Sequence, residues 1–567
     1  MKRVINIKNA GAPALAALAL GLAAASAHAA PAHAVTRKAR EAAPTTVILK
    51  LVPGGLTAAR AAALGRLGAS VTRRFDFIGS VAATVPAGSL ASVRALPFIA
   101  HVSPDGAVQK CDDFTEGASG ESAAFQQYGL TGKGVIAVVL DSGVAPNPDL
   151  DTRYYNAVSF VPGDASPGDK CGHGTHVAGI IAGSGLSSSG PGYKHTFHGI
   201  ARGAFVAGVR VLDQYGQGTV SSVLAGIQYV VAIKNKYRYT NPVVMNLSLG
   251  HPVGESYTTD PLCQAVEAAW KDGIVVVCAA GNAGRANTGN TAGAANEGWG
   301  TSYGSIQSPG NDPYVITVGA TKSVNGVHAH DKIATYSSRG PSRLDLILKP
   351  DIIAPGNRVI SLVSKNSLLF TYNGGTNQIP QSYYANSGHI ADPSNIYFRL
   401  SGTSMAAPVV SGAAALLLQA DPTLTPDTVK ARLMVSADKW AAPGTNGTPT
   451  GQADPCTYGA GYLDIPAALQ SSIVATQPAL SPTLVMDASG NVSISTAGIT
   501  SASHIIWGTG TINDLHIIWG TNAILGSSTL SSSHIIWGTS GVFADHIIWG
   551  TCLTSSVDLS SVVVNGE

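Results

Sequence analysis

Three short stretches of this chain carry side chains able to do chemistry. LDSG ends the apolar run GVIAVVLDSG with Asp141, DKCGHGTH holds His173 and His176 with Cys171 just before them, and SGTSMAAP sets Ser404 at the opening of an apolar helix. A hydroxyl at a helix start sits beside unpaired backbone N–H groups and a positive dipole end, where it can attack a carbonyl. Small neighbours, Gly402, Ala406 and Ala407, let a substrate backbone come close. The paired histidines leave two readings open. One is the mouth of a metal site, to which Cys171 and a second HxxH at His195 and His198 would add donors. The other is a proton shuttle with a structural companion. Zinc hydrolysis of the HExxH kind needs a glutamate base, and Gly174-Thr175 supply none. Taken singly, each residue also has an ordinary role: an Asp at a strand end as a cap, an Asn after Gly as a turn, a Ser before a helix as an N-cap.

The elements that must position these residues are written in the apolar pattern. From about Thr131 the chain alternates β-branched runs, such as PVVMNLSLG, IVVVCAAGN and YVITVGAT, with helical stretches such as SSVLAGIQYVVAIKNK and AVEAAWKDG. Continuous runs of this kind predict buried parallel strands in a doubly covered sheet, whose polar strand ends hold the site. Asp141, Ser248 to Gly250, and Asn282 stand at such ends.

Outside this region the pattern changes twice. Residues 45–105 alternate as β-α-β-β-α-β, the order of a small ferredoxin-like module. Before it, Lys2, Arg3 and Lys8 precede an Ala/Leu-rich run that ends in Ala27-His28-Ala29, a secretory signal over 1–29, with a featureless linker over 30–44. No later segment reads as long and apolar enough to span a membrane. At the other end, HIIWGT recurs with histidines at 504, 516, 534 and 546 in the region 471–567. The repeat predicts stacked short strands and turns. Four Trp side chains also suit contact with a surface or polysaccharide, and four histidines suit metal.

Composition narrows the function. A length of 567 residues calls for several domains, and a net charge of +2 without a basic block excludes a nucleic-acid footprint. Six cysteines in an exported chain permit disulfides, although Cys278, inside an apolar run, equally suits a buried thiol.

In the chain order Asp, His, Ser, these boxes together resemble the subtilisin-like serine proteases. VVLDSGV, GHGTHVAGI and SGTSMAAP are similar to the family's three catalytic boxes. VMNLSLG, VVVCAAGN, YSSRGP and KPDIIAPG match further family segments, over about residues 115–470. The resemblance implies an α/β, three-layer subtilisin-like fold with a mostly parallel sheet, preceded by an inhibitory propeptide at 45–105 and followed by a β repeat tail. It implies Asp141, His173 and Ser404 as the triad, Asn282 as the oxyanion donor, and His176 as a packing residue. Ser248, Leu249 and Gly250 would add a strand to an extended peptide, and Ala279, Ala280 and Gly281 would form the other wall of the cleft for the residue before the cut. The small residues there predict room for a sizeable apolar side chain, although the long loop GRANTGNTAGAANEGWG can reshape it. A self-cut is expected between His101 and Gly120.

The resemblance thus implies a secreted serine endopeptidase acting through an acyl-enzyme, with protein or peptide substrates and its own propeptide as intramolecular inhibitor. No organic cofactor, catalytic metal, nucleic acid or membrane span is expected, and periplasmic or cell-surface retention is compatible with the export signal. Structural calcium is the one ion the resemblance suggests. The loop GSGLSSSGPGYKHTFHG lacks acidic residues, so no site is carried over, and Asp149, Asp151 and Asp169 remain as unplaced oxygen donors. Two rivals are a surface binder whose repeats are the working part and a metal hydrolase. The insert from about Ser364 to Arg399 is not accounted for by the resemblance and is a candidate for the substrate rim.

Overall fold

The structure, a computed structural model, describes residues 44–495 except 106, 111–124, 126, 238–240, 288, 324–330, 387–391, 439–453 and 487–491. The signal peptide, most of the linker and the HIIWGT repeats therefore lie outside the described residues.

The leading module has the expected order. Strands Thr45–Leu51, Ser70–Phe75, Ser80–Val85 and Ile99–Pro104 form an antiparallel sheet in which the first lies between the third and the fourth. Alternation divides its side chains between two cores. Val47, Leu49, Val81 and Val85 pack with Leu64 inside the module, while Ile48 and Ala82 join the large core of the following domain, along with Phe75 and Ile78. Polar contacts reinforce the docking. The Asp105 carboxylate accepts the backbone N–H of Ser221 at 2.8 Å, near the start of helix Val220–Tyr237, and Lys50 Nζ donates to Gln264 Oε1 at 2.9 Å. An acid at a helix N-terminus is favoured by both the open N–H groups and the dipole.

The larger domain is built on an eight-stranded sheet. Its main path runs Lys332–Ile333, Ile316–Lys322, Val275–Ala279, Val243–Leu247, Ile136–Asp141, Phe205–Arg210 and Tyr154–Ser159, with Ile352–Pro355 also on the second strand. Only the two-residue Lys332–Ile333 runs antiparallel. Val243–Leu247 and Val275–Ala279 are buried at every position, as strands covered on both faces must be. Helices His173–Ala182 and Thr403–Ala420 pack together on the sheet, and helices Val220–Tyr237 and Pro261–Lys271 form a second covering pair.

Thr403–Ala420 corrects one expectation. It is long and apolar enough to cross a membrane, yet Thr403 to Leu418 are all buried inside the domain, so it is the core helix of a globular fold. Burial of charge marks the far end of the domain. Lys430 Nζ sits among the carbonyls of Pro313, Tyr314 and Val315, Ser481 Oγ and Asp351, which also holds Lys349 at 2.6 Å. The segment after the catalytic region is thereby tied down as far as Ser481.

Candidate active site

The strand ends deliver their polar residues to one edge of the sheet. Asp141 closes its strand fully buried, and its Oδ1 accepts from His173 Nδ1 and from the Ser142 N–H, both at 2.7 Å. A ring nitrogen facing a carboxylate carries the proton, so in the neutral imidazole Nε2 is the basic atom. His173 is the first residue of its helix, pressed tightly onto the Asp141 strand. A methyl added to Gly174 would come within 2.1 Å of the Gly143 carbonyl and 3.2 Å of Asp141 Cβ. That close approach explains the glycine in GHGTH.

Asp169 braces this corner. Its buried carboxylate accepts five hydrogen bonds, from Ser142 Oγ and Thr175 Oγ1 and from the backbone N–H groups of Cys171, Gly172 and Thr175. It serves the open N–H groups of the His173 helix, and burial raises its pKa despite those bonds. The other two unplaced carboxylates are also engaged within the fold. Asp149 accepts from Ser187 N and the Tyr397 hydroxyl, and Asp151 pairs with Arg153. Among the described residues no three His, Cys, Asp or Glu side chains are grouped to hold a metal.

The histidines of HGTH diverge. Buried His176 points Nε2 at the carbonyls of Val359 and Phe398, each at 3.2 Å, so it is a neutral donor. Burial, with the charge of His173 as a second cause, lowers its pKa to about 3. His195 stacks on Tyr383, and burial lowers the pKa of His198. The four described cysteines, Cys171, Cys263, Cys278 and Cys456, are buried and form no disulfide with one another, while Cys111 and Cys552 lie outside the described residues.

Ser404 stands in the first turn of its helix, and its Oγ donates to the Ser248 carbonyl at 3.2 Å. Ser248 Oγ returns a bond to the Ser404 carbonyl at 2.7 Å and is itself held by Asn246 Nδ2, whose Oδ1 accepts from Ser411. Strand end and helix are thus stitched together by four side chains, those of Asn246, Ser248, Ser404 and Ser411. Asn282 Oδ1 accepts both the backbone N–H and the hydroxyl of Thr403 at 3.0 Å. A backbone N–H can only donate, so the amide oxygen must face Thr403 and the NH₂ is turned away from it. The same hydroxyl accepts the Gly281 N–H at 3.1 Å, which fixes the 279–281 segment relative to the Ser404 helix.

An extended segment already runs beside Ser404. Residues 107–110 pair antiparallel with Leu249–Gly250 on one edge, Lys110 opposite Leu249 and Gln109 opposite Gly250, and with Gln217–Thr219 on the other. The insert after Ser364 abuts the same corner. It opens as helix Leu368–Asn377, with the N–H groups of Leu368 and Leu369 bound to the carbonyls of Lys170 and Cys171.

Sequence reading misses Thr403 and the bracing role of Asp169. Thr403 is visible there only as the residue before Ser404, and nothing local to it announces a partner at position 282.

The chain matches the family model "Subtilase family" over residues 132–461 and the model "Putative peptidase inhibitor domain" over 19–105. It is 38% identical to Serine protease AprX of Bacillus subtilis (strain 168) over 62% of this chain and 70% of that one, and 32% identical to Subtilisin E of the same organism over 71% and 84%. A solved relative is fervidolysin from Fervidobacterium pennivorans, described as a keratinolytic enzyme related to subtilisin. It matches with a TM-score of 0.54 and 21% identity over 76% of this chain and 62% of that one, a likeness of fold. The chain belongs to the subtilase family of serine peptidases, with a small peptidase-inhibitor-like domain before the catalytic one.

Proposed function

We propose that the chain is a secreted serine endopeptidase that cuts proteins through an acyl-enzyme, with Asp141, His173 and Ser404 as its triad. Residues 45–105 act as its intramolecular inhibitor, the catalytic domain spans 115–470, and 471–567 forms an appended tail. The carrying observation is the buried Asp141–His173 bond at 2.7 Å, together with an asparagine whose amide is oriented by the residue preceding Ser404.

His173 Nε2 takes the Ser404 proton as Oγ attacks the scissile carbonyl, and Asp141 stabilises the resulting imidazolium. The carbonyl oxygen gains charge and is received by Asn282 Nδ2 and the backbone N–H of Ser404. Losing one such donor costs about 10²–10³ in turnover, a range established on subtilisin itself. The protonated imidazole then gives its proton to the leaving amine, and water repeats the sequence to free the acyl group. The pairing of 107–110 with Leu249–Gly250 supports both a β-strand mode of substrate binding and self-inhibition by the leading domain.

Expression of the full chain with an export signal tests this reading. The wild type is expected in the medium without residues 30–105 and hydrolysing casein, whereas Ser404→Ala remains uncut and inactive. Self-cutting by Ser404→Ala, or loss of wild-type activity to a chelator but not to a serine-directed probe, would refute it.

A further inference from the structure

The insert from about Ser364 to Arg399 follows the His173 helix from its start to the loop beyond its end. In front of the helix, Ser364 Oγ donates to the Asp169 carbonyl at 3.2 Å, and a methyl built on Gly172 would lie 2.5 Å from Ser367 Oγ. Midway, the Phe398 carbonyl receives His176 Nε2. Past the helix end, the Lys194 N–H donates to the Tyr384 carbonyl at 2.7 Å, and the Phe197 ring meets Tyr384 and Tyr397 edge-on, with centroids 5.5 and 4.9 Å away. Tyr397 belongs to strand Pro393–Leu400 of the insert, and it is fully buried.

Asp149, also fully buried, stands at the centre of this last contact. It is one of the oxygen donors open to the structural calcium that the resemblance suggests, yet both of its oxygens face donors. Oδ1 accepts the Ser187 N–H at 2.7 Å and Oδ2 accepts the Tyr397 hydroxyl at 2.6 Å. The phenol has one proton and gives it to the carboxylate, so its 2.8 Å bond to Ser188 Oγ has the serine as donor, in preference to the longer 3.3 Å bond from Ser188 to the Gly185 carbonyl. Ser188 Oγ in turn accepts the Phe197 N–H at 2.9 Å. Three donors in series thus point at one charge. Calcium takes about six to eight oxygens, several of them carboxylate. The loop GSGLSSSGPGYKHTFHG supplies no acid, and among the described residues no three His, Cys, Asp or Glu side chains are grouped. Burial, with the Asp149 charge as a second cause, raises the Tyr397 pKa, so the phenol stays protonated and is no anionic ligand. The donor set does not fit the ion.

We propose that the Tyr397 hydroxyl takes the place of a structural calcium at this corner, so that the insert pins the loop after the His173 helix to Asp149 and the corner binds no divalent cation. This goes beyond the peptidase reading and does not depend on it, since the clamp holds equally in a chain that cannot cut. The physical difference is one of mass action. An ion stabilises a fold in proportion to its concentration over its Kd, whereas a hydroxyl on the same chain is always present. Hydrogen bonds to an ionised group are also stronger than neutral ones.

Thermal unfolding of full-length Ser404→Ala, which lacks the hydroxyl it would need to digest itself, tests the proposal. Its midpoint is followed by circular dichroism in calcium chloride and in EDTA, beside those of its Tyr397→Phe and Asp149→Asn derivatives. Tyr397→Phe is expected to lower the midpoint by about 3–8 °C in both media alike, because it takes a charge-assisted bond from a buried carboxylate. Calcium is expected to shift the parent and Asp149→Asn equally, to within about 1 °C. A shift the two share comes from an ion bound elsewhere and supports the assignment of this corner. A shift of several degrees in the parent that is lost in Asp149→Asn overturns the proposal, as does a Tyr397→Phe midpoint equal to that of the parent. Terbium, which occupies calcium's oxygen sites, covers the case in which Asp149→Asn does not fold. Tyrosine-sensitised emission from the parent that disappears in Tyr397→Phe overturns the proposal, and emission that is absent, or unchanged in Tyr397→Phe, supports it.

Discussion

Thr403→Val isolates the device that aims the oxyanion donor. In the wild type the Thr403 hydroxyl donates to Asn282 Oδ1 and accepts from the Gly281 N–H, so it is the joint between the asparagine, the cleft wall and the Ser404 helix. Valine keeps the branched shape and removes both bonds. Asn282 then keeps the Thr403 backbone N–H as an anchor for its oxygen but loses the hydroxyl, and the Gly281 N–H loses its acceptor in a buried place. An unsatisfied buried donor costs about 1–3 kcal/mol of stability. The catalytic cost should fall below that of deleting the donor, about 10²–10³. With the backbone anchor kept and the hydroxyl lost, a fall in kcat of roughly tenfold is expected, with KM within about twofold, because misaimed donors harm the transition state more than the bound substrate. Steady-state kinetics on one peptide substrate measures this, and Thr403→Ser, which retains the hydroxyl, should recover most of the loss. In an Asn282→Ala background the valine should add little further, since both changes act through one group. An unchanged kcat in Thr403→Val, or full additivity with Asn282→Ala, would refute the reasoning.

Four further outcomes are expected. Asp169→Ala leaves five donors without their acceptor, four at the start of the His173 helix and the Ser142 hydroxyl beside Asp141, and should lower unfolding stability by about 3–5 kcal/mol in a urea titration. Gly174→Ala forces a methyl onto the Gly143 carbonyl and should abolish activity or folding, read by casein hydrolysis and circular dichroism. His176 stays neutral in the fold down to about pH 3 but titrates near 6.5 when unfolded, so between those values the unfolded chain binds the extra proton. Stability therefore falls as pH drops below 6.5, by about 4–5 kcal/mol at the limit, and His176→Gln should flatten that part of the urea midpoint profile. Lys430→Met removes an amino group whose pKa burial lowers to about 7, leaves Asp351 with Lys349, Ser481 and Thr317 as partners and the carbonyls of Pro313 to Val315 without this donor, and should cost about 1–3 kcal/mol in the same assay.

Much of this site is legible in the sequence because its residues close local patterns. Asp141, Ser248 and Asn282 each follow a β-branched run, and a doubly covered parallel sheet makes such runs continuous and their ends conspicuous. The leading module is readable for a related reason: its period-two alternation splits Val47 and Leu49 from Ile48, which face different cores. Thr403 and Asp169 are not readable in these roles, since each acts through partners brought near by the fold. The helix Leu368–Asn377 is hidden in the sequence because it contains Gly374-Gly375, poor helix formers, and its start is held by the carbonyls of Lys170 and Cys171 nearly two hundred residues away. The apolar helix at Thr403 is longer and more apolar than the sequence reading allows, reaching the length and hydropathy of a membrane span, and its burial in the domain marks it as a core helix.

The most direct measurement is intact-protein and peptide mass spectrometry after exposure of the matured chain to a fluorophosphonate. One adduct, mapped to Ser404, is predicted for the wild type, with labelling slowed by orders of magnitude in His173→Ala and absent in Ser404→Ala, each variant first freed of its leading domain by a small amount of active wild type that is then removed. No adduct on a folded, matured wild type, or equal labelling when His173 is removed, would contradict the claim that the imidazole activates that hydroxyl.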